Sequence, residues 1–171
     1  MRNINQFLED GIILLNKSKG MTSFSAINKL KWLLNAKKIG HAGTLDPMAE
    51  GLLVVMLNDA TKFSNDLMKK DKEYYVEMEL GYETDSYDTD GVITKKYENN
   101  FNFEMKRIKE VVESFLGEIE QIPPMYSAIK INGKKLYELA RKGLEIEREA
   151  RKIKINYIND IKYKNNKISF F

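Results

Sequence analysis

The chain has no cysteine and only one histidine, His41. Disulfides and thiolate metal sites are therefore impossible. Zinc hydrolases, zinc deaminases and Cys–His nucleophiles are excluded with them. No GxSxG, P-loop or GxGxxG is present, which leaves the usual hydrolase and nucleotide-binding readings without support. Long apolar runs are also missing. The longest, residues 12–15 and 52–57, fall far short of the roughly 20 residues that span a membrane. Residues 1–5 lack the apolar run of a signal peptide, so the cytoplasm is the expected address. There is no internal repeat, no low-complexity tract and no linker rich in Pro, Gly or Ser.

What is present is a globular balance, 43% hydrophobic and 31% charged residues in a chain of 171. That is enough to bury a core, and it suits one domain or the larger part of one. The net charge of +3 is small, but it is unevenly spread. Residues 130–154 hold nine basic and four acidic residues, a local surplus that suits a polyphosphate partner. The only aromatic residue in that stretch is Tyr137, which argues against a general single-strand RNA binder with interleaved aromatics.

Residues 11–16 read as a short apolar strand, and Thr22 or Ser23 as the cap of a helix carrying Phe24, Ile27, Leu30 and Leu34 at helical spacing. A loop over 40–48, a buried strand over 52–57 and a short helix from about Thr61 follow. Residues 72–80 alternate, putting Tyr74, Val76, Met78 and Leu80 on an expected core face and Tyr75 on the other. A polar loop over 81–91 leads to a strand over 92–97. Asn102 is expected to cap a helix with the stripe Ile108, Val111, Val112, Phe115 and Leu116, ended by Gly117. Residues 126–131 read as a strand closing on the turn signal Asn132-Gly133, followed by a helix over 136–142, a strand at 153–157 and a further strand beginning at 167. The fold class expected is α+β, helices packed on a mixed, mainly antiparallel sheet. Residues 86–91 faintly resemble a calcium loop, but the twelfth position is Tyr97, where a bidentate Glu is required.

The informative stretch is Gly40-His41-Ala42-Gly43-Thr44-Leu45-Asp46-Pro47-Met48-Ala49-Glu50-Gly51. Three glycines and a proline in twelve residues describe a loop with special backbone geometry before a buried strand. On its own, Asp46 could either project into a cleft or simply cap a turn before Pro47.

This loop resembles the signature of the TruB family of tRNA pseudouridine synthases and the related dyskerin-type enzymes. Four further stretches are similar to motifs of that family, in its order. They are Gly11-Ile12-Ile13-Leu14-Leu15-Asn16-Lys17 with Gly20-Met21-Thr22-Ser23, then Asp71-Lys72-Glu73-Tyr74, then Gly81-Tyr82-Glu83-Thr84-Asp85-Ser86-Tyr87-Asp88. The last is Gln121-Ile122-Pro123-Pro124-Met125-Tyr126-Ser127-Ala128-Ile129-Lys130, continued by Gly133, Tyr137, Ala140-Arg141 and Gly143. Ser18 stands where the family usually has proline. The chain ends before the family's strand bearing an arginine that pairs with the aspartate, and before its C-terminal RNA-binding domain.

The resemblance implies the pseudouridine synthase catalytic-domain fold over residues 1–171, incomplete at its C-terminus, with 121–152 as a tRNA-gripping segment. It implies an isomerase acting on a uridine in the T-loop of tRNA, with Asp46 as catalytic carboxylate and Tyr74 as stacking residue and acid/base at C5. His41 would fill the space of the flipped nucleotide, and Lys17, Thr44, Tyr126, Lys130 and Arg141 would contact RNA. The expected partner is the tRNA T-arm, with no metal, cofactor or membrane, and a monomeric state. A non-catalytic tRNA-binding or remodelling module is the alternative. A chain ending at Phe171 is expected to fold with much reduced or no turnover, its unfinished last strand weakening a sheet edge.

Overall fold

The computed structural model describes residues 10–98, 101–127, 129–131, 133–140 and 142–171. Contacts divide the chain into two units, residues 1–72 and 73–171.

In the first unit, β1 (Gly11–Lys17), β3 (Gly51–Leu57) and β2 (Ile39–His41) form an antiparallel sheet in the order β1-β3-β2. Helix α1 (Ser23–Leu34) lies between β1 and β2 in sequence, and α2 (Ser64–Met68) follows a 3-10 segment, Asn58–Phe63. The core is Ile27, Leu53 and Val55, with Ile13, Leu15, Leu30, Ile39 and Leu45 packed against it. Strand alternation decides which side chains enter: Leu53 is buried while its neighbour Leu52 is exposed. The sequence reading places Gly40 and His41 in a loop, whereas both sit in β2, with His41 opposite Val55. A run of three residues is too short for period-2 alternation to register.

Thr22 is the N-cap of α1, its Oγ1 accepting from the Ser25 amide at 3.0 Å. Thr22→Ala should therefore cost about 0.5–2 kcal/mol of stability, read as a lowered midpoint in urea. Asn35 ends the helix in the left-handed region, φ 49°, where its amide donates to the carbonyls of Lys31 and Trp32.

The second unit holds β4 (Val76–Glu79), β5 (Tyr82–Thr84), β6 (Ile93–Lys96), α3 (Met105–Glu113), β7 (Gly117–Gln121), β8 (Lys130–Ile131) and β9 (Lys134–Lys135). These are followed by α4 (Leu136–Ala140), β10 (Arg151–Ile155), β11 (Lys162–Lys164) and β12 (Lys167–Phe170). The fold is α+β, and every strand pairing among the described residues is antiparallel. Among the described residues, the strands of this unit pair in the ladders β11-β12-β4, β10-β7, β5-β6 and β8-β9. Ile108, Val112 and Ile168 make this unit's core, with Leu80, Ile158, Ile161, Tyr163 and Phe170 packed around it.

Several expectations change here. Strand β12 is the centre of its ladder, paired with β4 on one side and β11 on the other, rather than a weak edge. Glu104, not Asn102, occupies the N-cap position of α3 and offers no side-chain bond. Gly117 opens β7 at φ +92° instead of ending the helix, which stops at Glu113. The strand expected over 126–131 shrinks to Lys130–Ile131, which pairs with Lys134–Lys135; Asn132, part of the expected turn, lies outside the described residues.

Candidate active-site loop

The Asp46 loop is built from below by three short-range devices. Gly43 and Gly51 stand at φ +118° and +120°, backbone conformations that a residue with a Cβ rarely adopts, and so bracket the loop with two sharp turns. Leu45 packs against the core cluster of the first unit and acts as the loop's apolar anchor. Polar ties then hold the backbone on both sides of Asp46. Ser23 Oγ donates to the Leu45 carbonyl at 3.0 Å and accepts from the Leu45 amide at 2.9 Å. The Gly20 amide donates to the Pro47 carbonyl at 2.8 Å, and the Ala49 amide to the Asp46 carbonyl at 3.1 Å. Asp46 itself is exposed.

Lys17 sits beneath this loop at 1% exposure. Its ammonium donates to the carbonyls of Met21 at 2.8 Å, Ser18 at 3.1 Å and Pro47 at 3.5 Å. The sequence reading puts Lys17 on the RNA side; its burial and these three carbonyls make it a strut between β1 and the loop instead. A lysine at the end of an apolar strand can be drawn inward when backbone carbonyls replace its water.

Burial lowers the Lys17 pKa from the ordinary 10.5, and the negative charges of Asp46 and Glu50 raise it in part opposition. In the window between the lowered folded value and 10.5, the unfolded chain binds more protons than the folded one. The contribution of Lys17 to stability therefore rises with pH there. The stability difference between parent and Lys17→Met, from urea titrations at about pH 8 and about pH 10, should move in the parent's favour at the higher pH. A flat difference would mean that Lys17 titrates as a solvated lysine.

His41 is half-buried, and its Nδ1–H donates to the Gly43 carbonyl at 2.5 Å, which fixes the ring across the first turn of the loop and leaves Nε2 as its other polar atom. Thr44 is exposed on the same loop. Lys17, His41, Thr44 and Asp46 thus share one small framework.

The other candidates belong to the second unit. Tyr74 precedes β4 and is 55% exposed. The expected core face of this strand is not buried: Val76 is 37% and Met78 42% exposed, and only Leu80 joins the apolar cluster. Alternation states which side chains share a face, not whether anything covers it. Tyr75 meets the Phe171 ring, centroids 5.1 Å apart. Tyr126 donates from its hydroxyl to Asp85 Oδ2 at 3.2 Å, while Asp85 Oδ1 accepts from the Val92 amide at 2.8 Å. The tie joins residue 126 to the loop between β5 and β6. Lys130 lies in β8, but its side chain, like all of Arg141, falls outside the described residues.

Residues 31–171 match the family described as TruB family pseudouridylate synthase, N-terminal domain. The chain belongs to this family. Among its relatives, a tRNA pseudouridine synthase B of Fusobacterium nucleatum is 51% identical over 158 residues, covering 92% of this chain and 54% of that protein. A tRNA pseudouridine synthase B of Endomicrobium trichonymphae is 53% identical over 155 residues, covering 90% and 66%. The Escherichia coli protein of the same name is 45% identical over 159 residues, covering 93% and 50%. The TruB-family chain thus spans about half to two-thirds of the length of these relatives. Among solved structures, a Cbf5–Nop10–Gar1 complex matches with a TM-score of 0.70 at 30% identity, over 99% of this chain and 40% of that one. An H/ACA RNP bound to a substrate RNA containing 2′-deoxyuridine matches with a TM-score of 0.64 at 26% identity, over 98% and 37%.

Ser23, the first residue of α1, holds this TruB-family loop through Leu45, a role that sequence reasoning missed. Its place in a Thr22-Ser23 pair suggested a helix cap, and Thr22 took that position. The signal available was that two hydroxyl residues compete for one cap, which leaves the second free for another partner.

Proposed function

We propose that the protein to which this chain belongs isomerises a uridine in the T-loop of tRNA to pseudouridine, with Asp46 as the catalytic carboxylate. The observation that carries this reading is an exposed aspartate on a loop whose backbone is pinned on both sides, in a chain of this family. The reaction breaks the N1–C1′ bond, turns the uracil and rejoins it through C5, with the C5 proton lost to solvent and N1 gaining one. Breaking a glycosidic bond builds positive charge on the sugar, which a carboxylate is suited to meet. With an unperturbed pKa near 3.9, an aspartate needs no separate base to be ionised at neutral pH, unlike a serine.

The target nucleotide must leave its stack, at a cost of a few kcal/mol. His41 fills the vacated space, and its fixed ring suits that task. Tyr74 stacks on the uracil and handles the proton at C5, and its exposure leaves its ring available for stacking. Thr44, Tyr126, Lys130 and Arg141 contact the RNA within a catalytic domain that includes residues 1–171, with 121–152 gripping the tRNA. Phosphate contacts of this kind supply affinity, while the shape of the T-loop and the flipped base supply specificity. Substrate and product are isomers, so the chemistry calls for no redox cofactor or energy source. A tRNA substrate agrees with a cytoplasmic site of action. Among the described residues, no helix is long and apolar enough to cross a membrane.

The test is tritium release from a T-arm RNA labelled at uridine C5, since forming the new bond at C5 expels that hydrogen. Release by the full-length protein is expected. RNA binding without release would support the non-catalytic module instead.

A further inference from the structure

We infer that Ser23 is a positioning residue for Asp46, holding the peptide group that leads into the carboxylate-bearing residue; the inference rests on the reading of Asp46 given above. One hydroxyl occupies both backbone polar groups of Leu45, accepting from its amide at 2.9 Å and donating to its carbonyl at 3.0 Å. The Leu45 carbonyl belongs to the peptide unit joining Leu45 to Asp46. Fixing it therefore sets the plane from which the Asp46 side chain leaves the backbone. Ser23 is 2% exposed, so water does not compete for these bonds.

The mounting of Ser23 is rigid. It is the first residue of α1, whose start is fixed independently by Thr22, and Ala26 and Ile27 of the same helix are buried. The carbonyl of Pro47, on the other side of Asp46, is held by Gly20 and Lys17. Asp46 thus lies between two fixed peptide groups, and Ser23 supplies a polar tie to the one on the N-terminal side. The Leu45 side chain packs against the core cluster and controls the depth of the loop, but an apolar contact is non-directional and cannot set the rotation of the peptide. The two hydroxyl bonds, by contrast, are directional.

The experiment compares the full-length protein with its Ser23→Ala, Ser23→Cys and Ser25→Ala variants by amide hydrogen exchange and by tritium release from the labelled T-arm RNA. Ser25 lies on the same first turn of α1, exposed, with its side chain bonded to Thr22 rather than to the loop, so Ser25→Ala should match the parent. In Ser23→Ala the Leu45 amide should exchange at least about tenfold faster, while the amides of Leu53 and Val55 keep their protection. Turnover at saturating RNA should fall about 10- to 100-fold, with KM changed less than about threefold, because misplacing a reacting group lowers kcat more than binding. Ser23→Cys, a weaker donor and acceptor of similar size, should lie between parent and alanine in both readouts. Unchanged Leu45 exchange in Ser23→Ala would overturn the tie itself. Lost Leu45 protection with unchanged kcat would overturn the positioning role, as would a raised KM at constant kcat. If the parent releases no tritium, the reading of Asp46 fails and the positioning role falls with it, whereas the exchange data still report on the tie.

Discussion

Asp46→Asn should lower tritium release by about 10³- to 10⁴-fold while leaving the melting temperature within about two degrees of the parent. Asparagine has the shape of aspartate, and the backbone carbonyl at this position still accepts from the Ala49 amide. The side chain is exposed, so the substitution creates no cavity. What disappears is the negative charge. A neutral amide cannot meet positive charge developing on ribose, and at neutral pH it is neither a useful nucleophile nor a base. Lys17 loses one of the two carboxylates that hold up its pKa, so its ammonium should titrate lower still in this variant. Parent-like turnover would remove Asp46 from the chemistry, and a collapsed melting temperature would assign the loss to folding.

Leu53→Ala should destabilise the protein by about 2–5 kcal/mol, and Leu52→Ala by no more than about 0.5 kcal/mol. The two residues are adjacent on β3, one 2% and the other 62% exposed. Leu53 lies opposite Leu15 in the ladder and belongs to the cluster with Ile27 and Val55. Truncating it loses the transfer free energy of three carbons and leaves a void that a sheet paired on both sides of β3 closes poorly. The defect reaches the site, because Leu45 packs against the same cluster. Turnover should therefore fall at temperatures where the protein is still folded. Equal urea midpoints for the two variants would show that the buried face of β3 had been assigned wrongly.

Legibility was highest where a signal is local. A helix cap within the Thr22-Ser23 pair follows from the chemistry of a few consecutive residues. The hairpin of β11 and β12 has a comparable local signal in its turn. Asn165 and Asn166 both adopt positive φ, 51° and 60°, as a type I′ turn requires. Two strands of three and four residues gave too little alternation to draw attention to the asparagines between them. The polar stretch 81–91, expected as a loop, contains β5 at Tyr82–Thr84, which pairs with β6 through a register shift at Glu83 and Thr84. Irregular pairing of that kind has no period to detect.

The candidate active-site loop divides in the same way. Its glycines, its proline and its aspartate are visible as composition, and their order is what marks the family. The amino-acid sequence by itself determined a helix start within the Thr22-Ser23 pair, the apolar run of β3, the loop that carries Asp46 and membership of the TruB family. Only the tertiary structure decided that Lys17 turns inward, that Ser23 holds Leu45, that Tyr74 stands clear of a core and that β12 is a central strand. The physical reason is the range of the interactions. Caps, turns and periodicity act over three or four residues and leave a trace in the order of the chain. By contrast, the bond from Ser23 to Leu45 spans 22 residues and that from Lys17 to Pro47 spans 30, and a hydroxyl or an ammonium finds such a partner only once the sheet and helix have packed.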